Sequence, residues 1–154
     1  MHARKIMFPT DFSPNSDAAL HMASSLARDS GATLLIVHVE ELPIAAGGAE
    51  FLYAIPEPRT QELREKLNDV FPLDPHIPYT HKLLAGDPAE AIVEAAEREH
   101  CDMIVLGTHG RRGLSRLLMG SVAEAVVRRA KCPVLTVKQP AHEHANKAEM
   151  ANFD

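Results

Sequence analysis

Apolar residues along the chain fall into short continuous runs that alternate with segments of helical periodicity. The continuous runs predict strands buried on both faces at 6–8, 33–39, 79–84, 103–106 and 134–137. The segments between them carry apolar residues at helical spacing. This alternation of strand and helix predicts a single α/β domain, with an open parallel five-stranded sheet and helices on both faces.

Four segments carry helix-start or helix-stop residues. Ser13-Pro14 supplies an N-cap and a first-turn proline for a helix that Gly31 should end, and a second helix is predicted over 60–70. Asp87-Pro-Ala-Glu90 and Ser121-Val-Ala-Glu124 both have the spacing of a capping box. Each box predicts the first residues of a further helix.

Composition narrows the class of protein. The length of 154 residues predicts one domain, and 45% of the residues are hydrophobic. The net charge of −5 argues against non-specific binding to nucleic acid. Apolar runs stay well short of the roughly 20 residues that span a membrane, and two cysteines do not make a disulfide framework. A cytoplasmic location is expected. The domain is expected over residues 1–140, followed by a disordered tail over 141–154.

One glycine-rich segment follows the predicted strand 103–106 and ends where the last helix should begin. Gly107, Gly110, Gly120 and Ser121 have the spacing G-x2-G-x9-G-S, with Arg111 beside them. Glycines before a helix N-terminus let backbone N–H groups approach an anion, so the segment suits a phosphate chain. It lacks the Gly-Lys-Ser/Thr of a P-loop and lies too late in the chain for a dinucleotide-binding fingerprint.

A second candidate loop, Pro9-Thr10-Asp11, follows the first strand. Ligands of open α/β sheets bind beyond the carboxyl ends of the strands, where the strand order reverses. If the first and fourth strands are neighbours, Asp11 can accept from ribose hydroxyls while the glycines hold phosphates. The alternatives are that Asp11 helps to cap the following helix and that Ser121 is an ordinary N-cap. His38 is interpreted as a hydrogen-bonded core histidine.

These residues together resemble a universal stress protein of the branch that binds ATP. The resemblance covers about residues 4–138 and rests on Pro9-Thr10-Asp11, His38-Val39, the complete G-x2-G-x9-G-S and Cys132-Pro-Val-Leu135. It implies strand order 3-2-1-4-5, an adenine nucleotide alpha hydrolase-like fold, and ATP, with Mg²⁺, as the ligand. It implies a nucleotide site formed by Pro9, Thr10, Asp11, Val39, Leu106, Gly107, Gly110, Arg111, Gly120, Ser121 and Val122.

The same resemblance assigns roles to these positions. Asp11 should meet the ribose, Val39 the adenine through its backbone, and Gly120 and Ser121 the outer phosphates. Homodimers are expected through the last strand, at Val134, Leu135, Thr136 and Val137. This position agrees with the cost of leaving an apolar edge strand unpaired.

The resulting function is that of an ATP-binding regulatory protein of the stress response. No general base in the sequence is suited to face the γ-phosphate, so binding is favoured over catalysis. Two alternatives remain open: a slow Mg-dependent ATPase and a nucleotide-independent interaction module. A flavodoxin-like electron carrier is disfavoured, because the loops lack aromatic residues to sandwich a flavin.

Overall fold

The computed structural model describes residues 2–41, 57–109 and 119–140, with the side chains of residues 57 and 58 left aside. Its strands are β1 Lys5–Pro9, β2 Thr33–Glu40, β3 Tyr79–Ala85, β4 Met103–Gly107 and β5 Val134–Val137. Its α-helices are α1 Asp17–Ser30, α2 Glu57–Asn68, α3 Pro88–Arg98 and α4 Ser121–Arg129. A short 3₁₀ turn, Pro14–Ser16, precedes α1.

The five strands form one parallel sheet in the order β3-β2-β1-β4-β5, as expected. β1 lies in the centre, pairing with β2 on one side and β4 on the other. The order reverses at β1, so the loops that leave β1 and β4 emerge side by side at the carboxyl edge of the sheet.

Successive residues of each strand point to opposite faces, and the sheet therefore has two cores. One face packs Ile6, Phe8 and Ile36 against the alanines of α1 and against Leu67 of α2. The other face packs residues such as Met7, Leu35 and Ile104 against α3 and α4; Ile92 and Val126 are the largest buried side chains of those two helices. Continuous apolar strand sequences follow from this two-sided burial.

The helix ends can be compared with those that the local sequence predicts. Gly31 ends α1 in the left-handed conformation at φ 72°, and Asp87 caps α3 by accepting from the Glu90 N–H at 3.0 Å, both as predicted. The prediction for Ser13 was wrong in its chemistry, because its hydroxyl donates to Asp11 and does not cap a helix. The helix predicted over 60–70 begins at Glu57 and ends at Asn68.

Among the residues that the structure describes, no helix is long and apolar enough to cross a membrane. Most of the loop between β2 and α2 and all of the tail after Pro140 lie outside those residues. The expected tail over 141–154 therefore stays a prediction.

Candidate functional site

The loops that leave β1 and β4 touch each other at the carboxyl edge of the sheet. A Cβ placed on Gly107, the last residue of β4, would lie 2.9 Å from the backbone oxygen of Asn15 in the 3₁₀ turn. Only glycine allows this approach of the two backbones. Gly120 N donates to Thr108 O at 2.7 Å, which draws the start of α4 to the same place. Residues far apart in sequence are thus assembled into one crevice.

The crevice continues between β1 and β2. Thr33 N donates to Arg4 O and Thr10 N donates to Val37 O, so the odd-numbered residues of β2 direct their backbone polar groups towards β1. The last of these ladder bonds is the one from Thr10 N, and Thr10 O accepts from His38 Nδ1 at 2.7 Å. Val39 therefore presents its N–H and C=O beyond the end of β1, with its side chain buried below.

His38 is a buried core histidine with a hydrogen bond, as predicted. A carbonyl oxygen can only accept, so Nδ1 carries the proton in this contact. Phe12 stacks on the ring with centroids 4.2 Å apart and has φ 65°, which is uncommon for a residue other than glycine. The imidazole thus holds the loop that follows β1 through one hydrogen bond and one ring contact.

The loop after β1 is held by hydrogen bonds of its own side chains. Thr10 is buried, its Oγ1 accepts from Phe12 N at 3.1 Å, and it lies 3.4 Å from Ser16 Oγ. Asp11 Oδ1 accepts from Ser13 N at 2.9 Å and from Ser13 Oγ at 2.6 Å. Asp11 therefore shapes this turn and does not cap α1. The loop is thus held by the hydrogen bonds of its own side chains, and the Asp11 carboxylate is part of the turn.

The helix α4 starts at Ser121, as predicted, but its cap differs from the prediction. Gly120 is the N-cap residue, at φ −60° and ψ 153°, and Ser121 is the first helical residue. The capping box predicted at Ser121 was therefore wrong: among the described residues no side-chain cap bond is made at this helix start, and Glu124 pairs with Arg128 at 2.6 Å instead. Ser121 and Val122 are exposed at the mouth of the crevice.

The other two helices that start at this edge with described ends have side-chain acceptors. Asp87 accepts from a backbone N–H in the first turn of α3. Gln139, beyond β5, accepts from Ala18 N of α1 through Oε1 at 3.2 Å. The first N–H groups of a helix have no partner inside it and carry a partial positive charge. Of these three helices, α4 is the one that has no side-chain acceptor at its start among the described residues.

The structure thus brings together Pro9, Thr10, Asp11, Val39, Leu106, Gly107, Gly120, Ser121 and Val122 from the predicted set. Gly110 and Arg111 lie outside the described residues. Sequence reasoning missed the hydrogen bond from His38 to Thr10 O and the acceptor supplied by Gln139. Neither has a local signal, because each acts on a residue that is distant in the chain.

Known proteins of one family are similar to this chain in sequence. The family model of the universal stress protein family matches residues 2–138. A universal stress protein of Methanocaldococcus jannaschii is 37% identical over 146 residues, which cover 91% of this chain and 85% of the relative. Universal stress protein A homolog 1 of Coxiella burnetii is also 37% identical, over 89% of this chain and 97% of its own.

Solved structures agree in fold. The structure of another Methanocaldococcus jannaschii protein, solved as a hypothetical protein, superposes with a TM-score of 0.80 at 30% identity, covering 91% of this chain and 99% of its own. A universal stress protein in complex with cAMP gives a TM-score of 0.60 at 26% identity, covering 91% and 100%. The chain belongs to the universal stress protein family.

Proposed function

We propose that this protein binds ATP, together with Mg²⁺, in the crevice at the carboxyl ends of β1, β2 and β4. The adenine edge would pair with the Val39 backbone and the ribose hydroxyls would donate to Asp11. The outer phosphates would accept from the N–H groups of Ser121 and Val122 and from the Ser121 hydroxyl, beside Gly120, whose own N–H donates to Thr108 O. Mg²⁺ retains several waters and is usually bound through phosphates and few protein ligands.

The observation that carries the proposal is the start of α4. It begins at a glycine, receives no side-chain cap from the part of the chain that the structure describes, and lies against Thr108 at the end of β4. Helix N-termini of this kind bind phosphate through backbone N–H groups and the helix dipole. The solved relative with bound cAMP, at 26% identity, supports an adenine nucleotide as the ligand class.

We further propose that the protein acts as a regulatory homodimer in the stress response, and its cytoplasmic location stays a prediction. β5 is one of the two edge strands of the sheet, and all four of its residues are half-buried. Thr108 links this edge to the crevice: its N–H donates to Val137 O and its C=O accepts from Gly120 N. Nucleotide at α4 and a partner at β5 would therefore act on one short hydrogen-bonded path.

Calorimetric titration of the nucleotide-free protein with Mg-ATP tests the ligand. We expect saturable binding near one nucleotide per chain, and a melting temperature that rises with ATP concentration because ATP binds the folded state. AMP and cAMP in parallel titrations separate recognition of the nucleoside from recognition of the outer phosphates. Absence of binding would leave the nucleotide-independent interaction module as the function. Phosphate release in the same samples tests slow hydrolysis.

A proline on β5 tests the dimer. Pro133 O accepts from Ile104 N and Val137 O accepts from Thr108 N. The backbone N–H and C=O groups of the odd-numbered residues of β5 therefore point towards β4, and those of Thr136 point outward from the sheet. Thr136→Pro removes an outward N–H and should yield monomers in sedimentation while leaving the sheet intact. Leu135→Pro, the matched control, faces β4 and should destabilise the fold. Unchanged dimers of Thr136→Pro would contradict an interface on this strand.

A further inference from the structure

A second site lies at the opposite, amino edge of the sheet. A cavity of about 290 Å³ opens between the end of α3 and the segment that joins α4 to β5. Both cysteines of the chain line it, together with His100 and the ion-paired Glu97 and Lys131, whose Oε2 and Nζ are 3.1 Å apart. Neither cysteine is in a disulfide, and the nucleotide crevice uses none of these residues.

The register of the sheet brings the two cysteines close. Ile104 pairs with Val134, and Ile104 N donates to Pro133 O at 3.0 Å, so the segments entering β4 and β5 run side by side. Cys101 lies just before β4 and Cys132 just before β5. Neighbouring strands are about 4.8 Å apart, and a disulfide joins Cα atoms about 4.4–6.8 Å apart. Cys101 is one residue out of the register that Ile104 and Val134 set for Cys132, and both thiols line the same cavity.

The backbone holds Cys101 towards this cavity. His100 adopts φ 54°, a left-handed conformation that turns the chain out of α3, and Cys101 N then donates to Ala96 O at 2.9 Å. Cys101 is buried, whereas Cys132 is half-buried and therefore more accessible from solvent. Both side chains pack on the α3 and α4 face of the sheet. Cys132 is thus the more accessible of the two thiols.

The surroundings keep both groups in the thiol form. Burial raises the pKa of Cys101 to about 11, and burial also raises the pKa of Cys132 above its ordinary value. Of the charged groups nearby, Lys5 opposes the shift at Cys101, while Glu99 and Asp102 add to it. The thiolate is the nucleophile in exchange reactions, so the pair should react slowly at neutral pH.

We propose that Cys101 and Cys132 form a dithiol modification site that closes to an intramolecular disulfide by exchange with a small-molecule disulfide. The Cys132 thiolate attacks one sulfur of that disulfide and releases the first small thiolate, which takes up the proton that Cys132 lost. The Cys101 thiolate then attacks Cys132 Sγ in the mixed disulfide and displaces the second small thiolate, which is protonated in turn. The protein loses two hydrogens and two electrons, and the small disulfide becomes two thiols.

The disulfide would close a ring formed by the chain from Cys101 to Cys132. It contains β4, the glycine-rich segment and α4, which are the elements between residues 101 and 132. A cross-link of this kind constrains the unfolded chain and commonly adds a few degrees to the melting temperature, here about 5–10 °C. Oxidation would therefore stabilise the fold from the edge opposite to the crevice.

The test is equilibration of the full chain in buffers of reduced and oxidised glutathione, followed by alkylation and mass spectrometry. We expect oxidising buffers to give a monomeric chain that has lost two hydrogens, takes up no alkylating reagent, and yields a peptide pair linking Cys101 to Cys132. Reduction should restore both thiols, and the oxidised form should melt higher. Thiols that remain unreacted at the most oxidising ratio would overturn the proposal.

Single variants separate this pair from ordinary surface oxidation. Cys132→Ala removes the accessible thiol, so Cys101 should stay reduced and the melting temperature should no longer respond to the buffer. Cys101→Ala should stop at the mixed disulfide, seen as one added glutathione on Cys132. A wild-type chain that also stops at the mixed disulfide, or that links two chains together, would contradict the intramolecular bond. The wild-type measurement stands even if a variant fails to fold.

Discussion

Two helices that start at the same edge of the sheet begin in opposite ways. α3 follows Gly86 and opens with an aspartate whose carboxylate accepts from the Glu90 N–H, and a proline occupies its first position. α4 opens with Gly120 and Ser121, and no side chain of the described residues caps it. The first helix carries its own negative charge at the positive end of the dipole, so it offers little to an anionic ligand.

With phosphates bound at α4 as proposed, this difference would separate stability from binding within one fold. A side-chain cap contributes about 1 kcal/mol to a helix, and α4 forgoes it where the two loops of the crevice meet. Packing compensates for the missing cap, because Ala123 and Val126 of α4 are fully buried against the sheet. Substitutions that exchange the two kinds of helix start should therefore move stability and affinity separately.

Gly120→Asp converts the start of α4 into that of α3 and has the largest expected effect. The helix should stay folded, because the backbone of Gly120 is extended and suits any residue. Affinity for Mg-ATP should fall about 100-fold or more, since like charges about 4 Å apart repel by about 4 kcal/mol at an effective dielectric constant of 20. Calorimetry gives the affinity.

Gly120→Asn is the matched neutral control and should lose clearly less affinity than the aspartate. Gly120→Val, which places a branched side chain in the phosphate path, should abolish binding without unfolding the chain. Unchanged affinity in the aspartate variant would contradict the assignment of phosphates to α4.

Gly107→Ala tests the contact that holds the two loops together. Its methyl group would lie 2.9 Å from Asn15 O, so the 3₁₀ turn must move. Overpacking of this kind lowers the free energy of unfolding by about 1–3 kcal/mol. The displaced loop should also weaken ATP binding about tenfold, which corresponds to about 1.4 kcal/mol of binding free energy. Denaturant unfolding measures the first effect and calorimetry the second. Loss of stability with intact affinity would show that the loop does not shape the site.

Asp11→Asn separates the structural use of this residue from its proposed contact with ribose. An asparagine can still accept from Ser13 N, so the turn should persist. A hydrogen bond to a charged group contributes about 1.5–3 kcal/mol, and we expect roughly a tenfold loss of affinity in titrations with Mg-ATP. Ser13→Ala, which removes only the hydroxyl, is the control and should bind nearly as well as wild type. Equal losses in both variants would assign Asp11 to the turn alone.

Asp87→Ala has the smallest expected effect and completes the exchange. Loss of this cap should cost about 1 kcal/mol, which corresponds to a melting temperature lower by about 2–4 °C. Affinity for ATP should not change, because α3 takes no part in the proposed phosphate contacts. Differential scanning calorimetry without and with ATP gives both values. Weaker binding by this variant would extend the nucleotide site to the end of β3.

Much of the fold was predictable because its signals are local. Apolar runs such as residues 33–39 marked the strands, and Gly31 and Asp87 marked helix ends through backbone conformation and capping. The capping box at Ser121 was misleading. Its pattern S-x-x-E shows that the hydrogen bond is possible and does not show that it forms. Arg128 supplied a competing partner for Glu124 one turn further along the helix.

The sequence alone determined the alternation of strands and helices, the two-sided burial of the sheet, and which residues were suited to bind phosphate and ribose. Those properties follow from hydrophobic periodicity and from the chemistry of glycine, aspartate and serine. Only the tertiary structure decided that Gly107 must touch Asn15, that His38 donates to Thr10 O, and that Cys101 reaches the same cavity as Cys132. Each of these contacts joins residues from different elements, and their meeting depends on the order and register of the whole sheet.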